Sequence, residues 1–422
     1  MKLQKIVERL QKLHPKEIDL SLDRVQNLCQ KLDNPQDKIN CISVVGTNGK
    51  YSTIQALYAI LKEANYKCNI YTSPHIQKIN ERFVFNNKPI ADDELARLFT
   101  EVEEVNNGDK ITFFEILTVA FFHYAKKYPK NINLIESGLF HRFDATNVLK
   151  KNIASICTSI HLDHLEWLPK EEQTIEKIVF EKTSSLLESK IIVAKQSSNK
   201  ITNLIEKTIK KNLSKKIIFN KNYSFVSKEN HFFYFEDEFG GIKLPRPNVT
   251  GEFQLENIST AITTARQLLD YKITDDHIKK GITKIESIAR LQEIKSGKLK
   301  DLIKNNQLFV DGSHNPLGAK VLNQHLESLN CKKHIILGMM ANKNHNEYVK
   351  CFKNIETITT IDIPNQLNAI KGKDLKKKIK IFKNIKYKNC IKEAISSLII
   401  QKNDIIIITG SLYLAGEVLN LN

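Results

Sequence analysis

The chain has 422 residues, more than one hydrophobic core ordinarily serves, and 41% of them are hydrophobic, so a globular protein of two domains is expected. No run of about 18 apolar residues is present to span a membrane, and charges run through the amphipathic helical opening MKLQKIVERLQKLHPKEIDL, where a secretory signal needs an unbroken apolar core. The net charge of +17 invites a nucleic-acid partner, but the lysines are dispersed and no basic stripe is interleaved with aromatics, so solubility and a mild pull on small anions are the favoured readings.

In chain order, the apolar run CISVV leads into Gly46-Thr47-Asn48-Gly49-Lys50-Tyr51-Ser52 and then a helix through STIQALYAILKEA. A strand, a glycine turn and a helix in that order point backbone N–H groups and a positive helix end at one spot. Lys50 adds a mobile cation, which makes a phosphate cradle. The string GxxGKxS is shorter than the general phosphate loop, and its context is what raises it above an incidental turn. The strand KCNIYTS follows, with Ser73 at its carboxyl end, where ligands gather in open α/β sheets. Glu136 ends the strand NINLIE. Such an acid meets either a cation, as a carboxylate on Mg²⁺ would, or solvent. His161-Leu162-Asp163-His164 closes IASICTSI and reads as a metal or phosphate neighbour or as a hydrogen-bonded turn.

The runs KIIVAK and KKIIFN continue the alternation of strands and helices, which predicts a mostly parallel sheet with helices on both faces. Residues 222 to 247 break it, reading as two or three antiparallel strands with turns at Glu229-Asn230 and Gly240-Gly241. A second α/β series then starts with NQLFV, KHIILGMM, TITTIDIP and DIIIITGS, which puts a domain boundary near 286 to 290. Between its elements the run Lys371–Lys380 has the pattern of a solvated helix face. Asp311-Gly312-Ser313-His314-Asn315-Pro316 and Thr409-Gly410-Ser411 are further polar loops at strand ends. The seven cysteines are scattered and never spaced as CxxC, which suits reduced thiols in a cytoplasmic protein.

The ordered set GTNGKYST, YTSPHIQKINERF, TFFEILT, DATNV, SIHLDHLEWL, TGEFQLEN, ARLQE, DGSHNPLGA and TGSLYLAGEV resembles the folylpolyglutamate synthase / dihydrofolate synthase family of Mur-ligase-like ATP-dependent amide ligases. The likeness runs over nearly the whole chain. It implies an N-terminal P-loop ATPase domain with a mostly parallel sheet (1–288) and a smaller C-terminal Rossmann-like α/β domain (289–422) that carries the glutamate-ligase function. It also implies a monomer with small-molecule substrates and neither nucleic-acid nor membrane partners. ATP would phosphorylate the carboxylate of dihydropteroate or a reduced folylpoly-γ-glutamate, and the amine of L-glutamate would displace the phosphate.

Carried over residue by residue, the resemblance assigns the phosphates to Gly49, Lys50 and Ser52 within the loop Gly46–Ser52. One Mg²⁺ falls to Ser73 and Glu136, and a second to His164 and Glu136. Lys182 matches a lysine that becomes carbamylated. Asn257 would contact adenine, Arg290 the γ-phosphate and Asp311 the ribose. His314 and Ser411 would orient glutamate, Phe114 and Asp144 would form the pterin pocket, and Arg82 would meet the folate side.

The chain departs from the family pattern at Tyr51, at Phe140-His141, at His161 and Ala289, and at Asn342-Lys343-Asn344. Glycine is usual at the first five of these and an acidic DKD at the last three. Two other readings are a Mur-like ligase with another acid, against which DATNV and SPHIQKINERF count, and a nucleotide-binding regulator without ligase chemistry, against which retention of Ser73, Glu136, His164 and Lys182 counts.

Overall fold

In the computed structural model, which describes residues 2–15, 19–227, 231–382 and 384–422, the run after Asn40 becomes a strand with neighbours on both sides. The strands of the first sheet are β1 (Asn40–Val45), β2 (Cys68–Tyr71), β3 (Phe83–Phe85), β4 (Lys88–Pro89), β5 (Ile132–Glu136), β6 (Ala154–Cys157), β7 (Lys190–Val193) and β8 (Lys215–Ile218). Their order is β4-β3-β2-β5-β1-β6-β7-β8, parallel except for the antiparallel edge β3 and β4. Val44 of β1 stands opposite Glu136 of β5 and Ile156 of β6.

In β1, Cys41 and Val45 join apolar cores on one face while Ile42 and Val44, one pleat step away, point to the other; all four are buried. A strand buried on both sides reads as a continuous apolar run, which is why CISVV was visible. The helix Lys50–Glu63 buries Ile54, Leu57, Ile60 and Leu61, and packs against the helix Asp275–Ile282 so closely that a Cβ on Gly281 would lie 2.6 Å from Ile60 Cα.

Two expectations shift. The helical opening covers only Lys2–Leu10, with Pro15 downstream and a second helix at Asp23–Lys31. Of the two predicted hairpin turns, Glu229-Asn230 lies outside the described residues. The other falls at Glu238-Phe239: β9 (Tyr223–Val226), β10 (Phe232–Asp237) and β11 (Gly240–Pro245) form an antiparallel sheet in which Asp237 pairs with Gly240. Asp237 Oδ1 accepts from Phe239 N at 2.9 Å and supplies the turn, so Gly240, with φ of 97°, opens the next strand instead.

The chain divides into two compact units, Met1–Asn248 with Leu255–Glu286, and Val249–Gln254 with Ser287–Asn422. The second unit holds β12 (Gln292–Glu293), β13 (Gln307–Asp311), β14 (Lys333–Leu337), β15 (Thr357–Ile361), β16 (Ile385–Lys388) and β17 (Ile405–Thr409), in the order β12-β13-β17-β14-β15-β16. All but β12 are parallel. The edge strand β16 went unread because its sequence, IKYK, alternates lysine with apolar residues and offers no continuous run. The lysine-rich stretch near 371–380 is the helix Gly372–Lys378, which buries Leu375 and leaves its lysines outward, as expected.

Candidate active site

Because β1, β2, β5 and β6 run parallel, the segments that follow them emerge at one edge of the first sheet. β5 and β6 flank β1, and the chain crosses β1 between them, so the loop after β1 sits where the strand order switches direction. That is the ordinary ligand position in an open α/β sheet.

The loop after β1 is held in shape by its neighbour. Thr47 N and Asn48 N donate to Ser159 O at 2.9 and 3.2 Å, and Thr47 Oγ1 exchanges bonds with His161 N and His161 O. Gly46 and Gly49 have φ of 140° and 87°, and a Cβ at these positions would lie 2.0 Å from Thr158 Oγ1 and 2.3 Å from Asn257 Oδ1. Both glycines are therefore required by backbone and space together. Asn257 is thereby placed at the loop although it is 208 positions beyond Gly49 in sequence, on the helix Phe253–Gln267. The helix begins at Lys50, so the N–H groups of its first turn have no intrahelical acceptor and carry the positive helix end. Tyr51 is half-buried on that turn and Ser52 is buried.

Lys50 Nζ reaches Gly46 O and Thr47 O, both at 3.3 Å, and stands 3.8 Å from Glu136 Oε1. The second oxygen of Glu136 accepts from Ser73 N at 3.1 Å, and the Ser73–Pro74 bond that follows is cis. One buried carboxylate thus links three of the predicted residues. Lys182 is also buried, donating to Gly46 O at 3.2 Å and Leu139 O at 2.6 Å. Burial, and then the charge of Lys50, push its pKa down to about 7. His164, in a left-handed conformation, sets its ring edge-on to Phe140, 6.5 Å between centroids.

Phe140 and His141, the replacements for glycine, are both buried. Phe140 belongs to the core with Ile160, Ile178 and Val179, and lies under Lys182 Nζ at 5.6 Å. His141 Nδ1 is 3.3 Å from Ser137 Oγ, and burial, with Lys182 second, drives its pKa to about 4. The added bulk therefore fills the interior of the unit beside Lys182.

Asp144 is committed to its own loop. Oδ2 accepts from Gly138 N and Leu139 N at 2.9 and 3.2 Å, and Oδ1 from Thr146 N and Thr146 Oγ1 at 3.0 and 2.5 Å. Burial raises its pKa against the pull of these bonds. Phe114, on the helix Phe113–Ala125, reaches the same turn: a Cβ on Gly138 would stand 3.0 Å from Asp144 Oδ2 and 3.1 Å from Phe114 Cζ. Arg82 Nε donates to His75 Nδ1 at 2.9 Å, and burial followed by Arg82 lowers the His75 pKa to about 4.

In the second unit, β13 and β17 are adjacent and parallel, so Asp311–Asn315 and Thr409–Ser411 emerge together. Asp311 accepts from Leu291 N at 2.8 Å and Ser313 N at 2.9 Å, and Gly312 N donates to Ala289 O at 2.9 Å. Ala289 has φ of 54°, the left-handed region that favours the glycine usual there. Arg290 Nη1 donates to Ala289 O at 3.2 Å and would lie 3.0 Å from a Cβ on Gly312. His314 Nδ1 stands 3.0 Å from Gly312 O, and Ser411 caps the helix Leu412–Leu421. Arg290, Asp311, His314 and Ser411 thus gather around the ends of β13 and β17.

Several residues that build these sites carried no signal alone. Ser159 anchors the loop after β1 through its carbonyl, which any residue supplies. Glu81 accepts from Ile76, Gln77 and Lys78 N–H groups at 2.7 to 2.8 Å and shapes the turn before Arg82. Glu181 pairs in fork geometry with Arg142 at 2.7 and 2.8 Å beside Lys182; EK in a helix reads as surface charge, although Glu181 is buried.

Residues 295–421 match the model of the dihydrofolate synthetase C-terminal domain. The chain is 28% identical over 431 residues to the dihydrofolate synthase/folylpolyglutamate synthase of Haemophilus influenzae, covering 97% of this chain and 94% of that protein. Its fold matches Escherichia coli FolC in complex with DHPP and ADP, with a TM-score of 0.87, 24% identity and coverage of 99% and 97%. It also matches the bifunctional folylpolyglutamate synthase/dihydrofolate synthase of Yersinia pestis complexed with AMPPNP and a Mn ion, with a TM-score of 0.85, 22% identity and coverage of 99% and 97%. The two-unit α/β fold is shared with these nucleotide-complexed structures. Over nearly its whole length the chain is similar to dihydrofolate synthase/folylpolyglutamate synthases, and its second unit matches the C-terminal domain model of dihydrofolate synthetase.

Proposed function

We propose that this protein ligates L-glutamate to dihydropteroate, to reduced folylpoly-γ-glutamate, or to both, using ATP and an acyl phosphate intermediate. The observation that carries this reading is the meeting of Lys50, Ser73 and Glu136 at one buried carboxylate beside the phosphate loop. The γ-phosphoryl group passes from ATP to the substrate carboxylate, leaving ADP. The glutamate nitrogen then attacks the acyl carbon, the C–O bond to phosphate breaks, and an amide forms with loss of a proton from nitrogen. Lys50 and the N–H groups of Gly49–Ser52 hold phosphate charge in place through the first step.

The donor set fits magnesium. Ser73 and Glu136 offer hard oxygens, and Mg²⁺ takes few protein ligands because phosphates and waters complete its shell. Among the described residues no group of three or more His, Cys, Asp or Glu is arranged as a metal cage. A divalent ion there would neutralise charge between the phosphates and the acid. We assign one ion to Ser73 and Glu136 and a second to Glu136 and His164. Lys182 is a neutral amine above about pH 7, the form that adds carbon dioxide, which supports its carbamylation.

Asn257 serves adenine, Arg290 the γ-phosphate, Asp311 the ribose, and His314 and Ser411 the glutamate. Phe114 and Arg82 serve the folate, with Asp144 shaping the turn that carries the pocket. Residues 1–288 form the ATP-binding domain and 289–422 the ligase domain. The protein acts as a cytoplasmic monomer; the seven cysteines are all free, and no described helix is long and apolar enough to cross a membrane.

The test supplies purified protein with ATP, Mg²⁺, L-glutamate and either dihydropteroate or tetrahydrofolate, and follows phosphate release. Release that requires one of these pterins is expected. Nucleotide binding without turnover on either would sink the ligase reading.

A further inference from the structure

Tyr348, on the helix His345–Lys350, is fully enclosed in the second unit, and its ring lies edge-on to Phe352 at 5.4 Å. Its hydroxyl reaches three partners. It donates its only proton to Ser313 O at 3.1 Å, so it must accept from Thr409 Oγ1 at 2.8 Å and from Ser313 Oγ at 3.0 Å. Ser313 O also accepts from Gly410 N at 3.1 Å, which fills its second lone pair. One phenol oxygen therefore ties the segment after β13 to the end of β17.

Both sides of this tie sit in close-packed backbone. Gly410 has φ of 108° and its backbone is packed so tightly that a Cβ would lie 2.6 Å from Gly338 O. Ser313 N is bonded to Asp311 Oδ1 at 2.9 Å. The residues immediately beyond the tie are His314 on one side and Ser411 on the other, the two assigned to glutamate. A phenylalanine at 348 would keep the ring but leave Ser313 Oγ and Thr409 Oγ1, 3.3 Å apart, with each other in place of the phenol, and Ser313 O with Gly410 N alone.

We propose that Tyr348 is a positioning residue that sets the spacing of His314 and Ser411 for the incoming amino acid. This rests on the glutamate-ligase reading for its substrate, while the tie itself does not. The Tyr348 hydroxyl bonds to Ser313 and Thr409, and Ser313 N in turn donates to Asp311.

The experiment compares Tyr348→Phe with Phe352→Leu, a core variant that loosens the same packing without touching the hydroxyls. Tyr348→Phe is expected to raise the glutamate KM by about tenfold while the ATP KM stays within about twofold. Phe352→Leu should lower thermal stability with the glutamate KM unchanged. Amide hydrogen exchange across 409–415 should accelerate in Tyr348→Phe and not in Phe352→Leu. An unchanged glutamate KM in Tyr348→Phe, or an equal rise in Phe352→Leu, overturns the proposal. If the unmodified protein shows no glutamate-dependent turnover, the ligase reading fails separately. Exchange then decides the tie, and unaltered exchange at Gly410 in Tyr348→Phe overturns it.

Discussion

Lys50 and Glu136 are 86 positions apart in sequence and 3.8 Å apart in space. Lys50 stands over two loop carbonyls and a carboxylate, so its charge is aimed before any phosphate arrives. Lys50→Ala should lower turnover by about 10²–10³-fold, the usual cost of one preorganised donor, with an unchanged circular dichroism spectrum. Near-normal phosphate release would remove the loop from the mechanism.

The histidines make a second residue-scale prediction. His75 and His141 have pKa values near 4 in the folded protein against an ordinary 6.5, so the unfolded chain takes up protons first as pH falls. Stability is full above pH 6.5 and declines toward pH 4. Lys182, with its pKa near 7, is mostly charged in both states across that window and adds little slope there. His141→Gln should therefore shrink the drop in urea midpoint between pH 6.5 and 4.5; an unaltered drop would place the effect elsewhere.

The turn from Gly138 to Thr146 shows how one side chain organises an element. Each Asp144 oxygen accepts at least one backbone N–H, so an amide in either orientation turns an NH₂ toward a donor. Asp144→Asn should cost about 1–3 kcal/mol in urea unfolding, the price of an unpaired buried group. An equally stable variant would mean the turn has another support. Elements of this kind were only partly legible. The strings DATNV and DGSHNP marked where polar loops occur, because their residues are unusual at strand ends. That Asp144 spends its lone pairs on its own backbone could not be read, since an exposed and a self-satisfied aspartate are spelled alike. The edge strand β16 and the two-residue shift of the β10–β11 turn were missed for a related reason. Edge pairing and Asx-turn geometry are decided by neighbours that local pattern does not reveal.

At the scale of the molecule, the formal charge of +17 meets substrates that are all anionic. Turnover at subsaturating ATP should fall as ionic strength rises, with kcat nearly constant, because screening acts on encounter. A kcat/KM indifferent to salt between about 20 and 200 mM, over which the Debye length falls about threefold, would show that local contacts alone guide capture. The sequence by itself determined the two α/β series, the glycine loop after β1, the strand-end positions of Ser73, Glu136, Asp311 and Ser411, and the resemblance to folylpolyglutamate synthase / dihydrofolate synthases. These follow from hydrophobic period, from glycine's backbone freedom and from ordered motifs, all written locally along the chain. The tertiary structure alone decided that Asn257 closes on Gly49, that Phe140 and His141 are interior, that Asp144 serves its own turn and that Tyr348 ties β13 to β17. Each of these depends on which distant atoms share one lone pair or one few-ångström gap, and no local pattern encodes that.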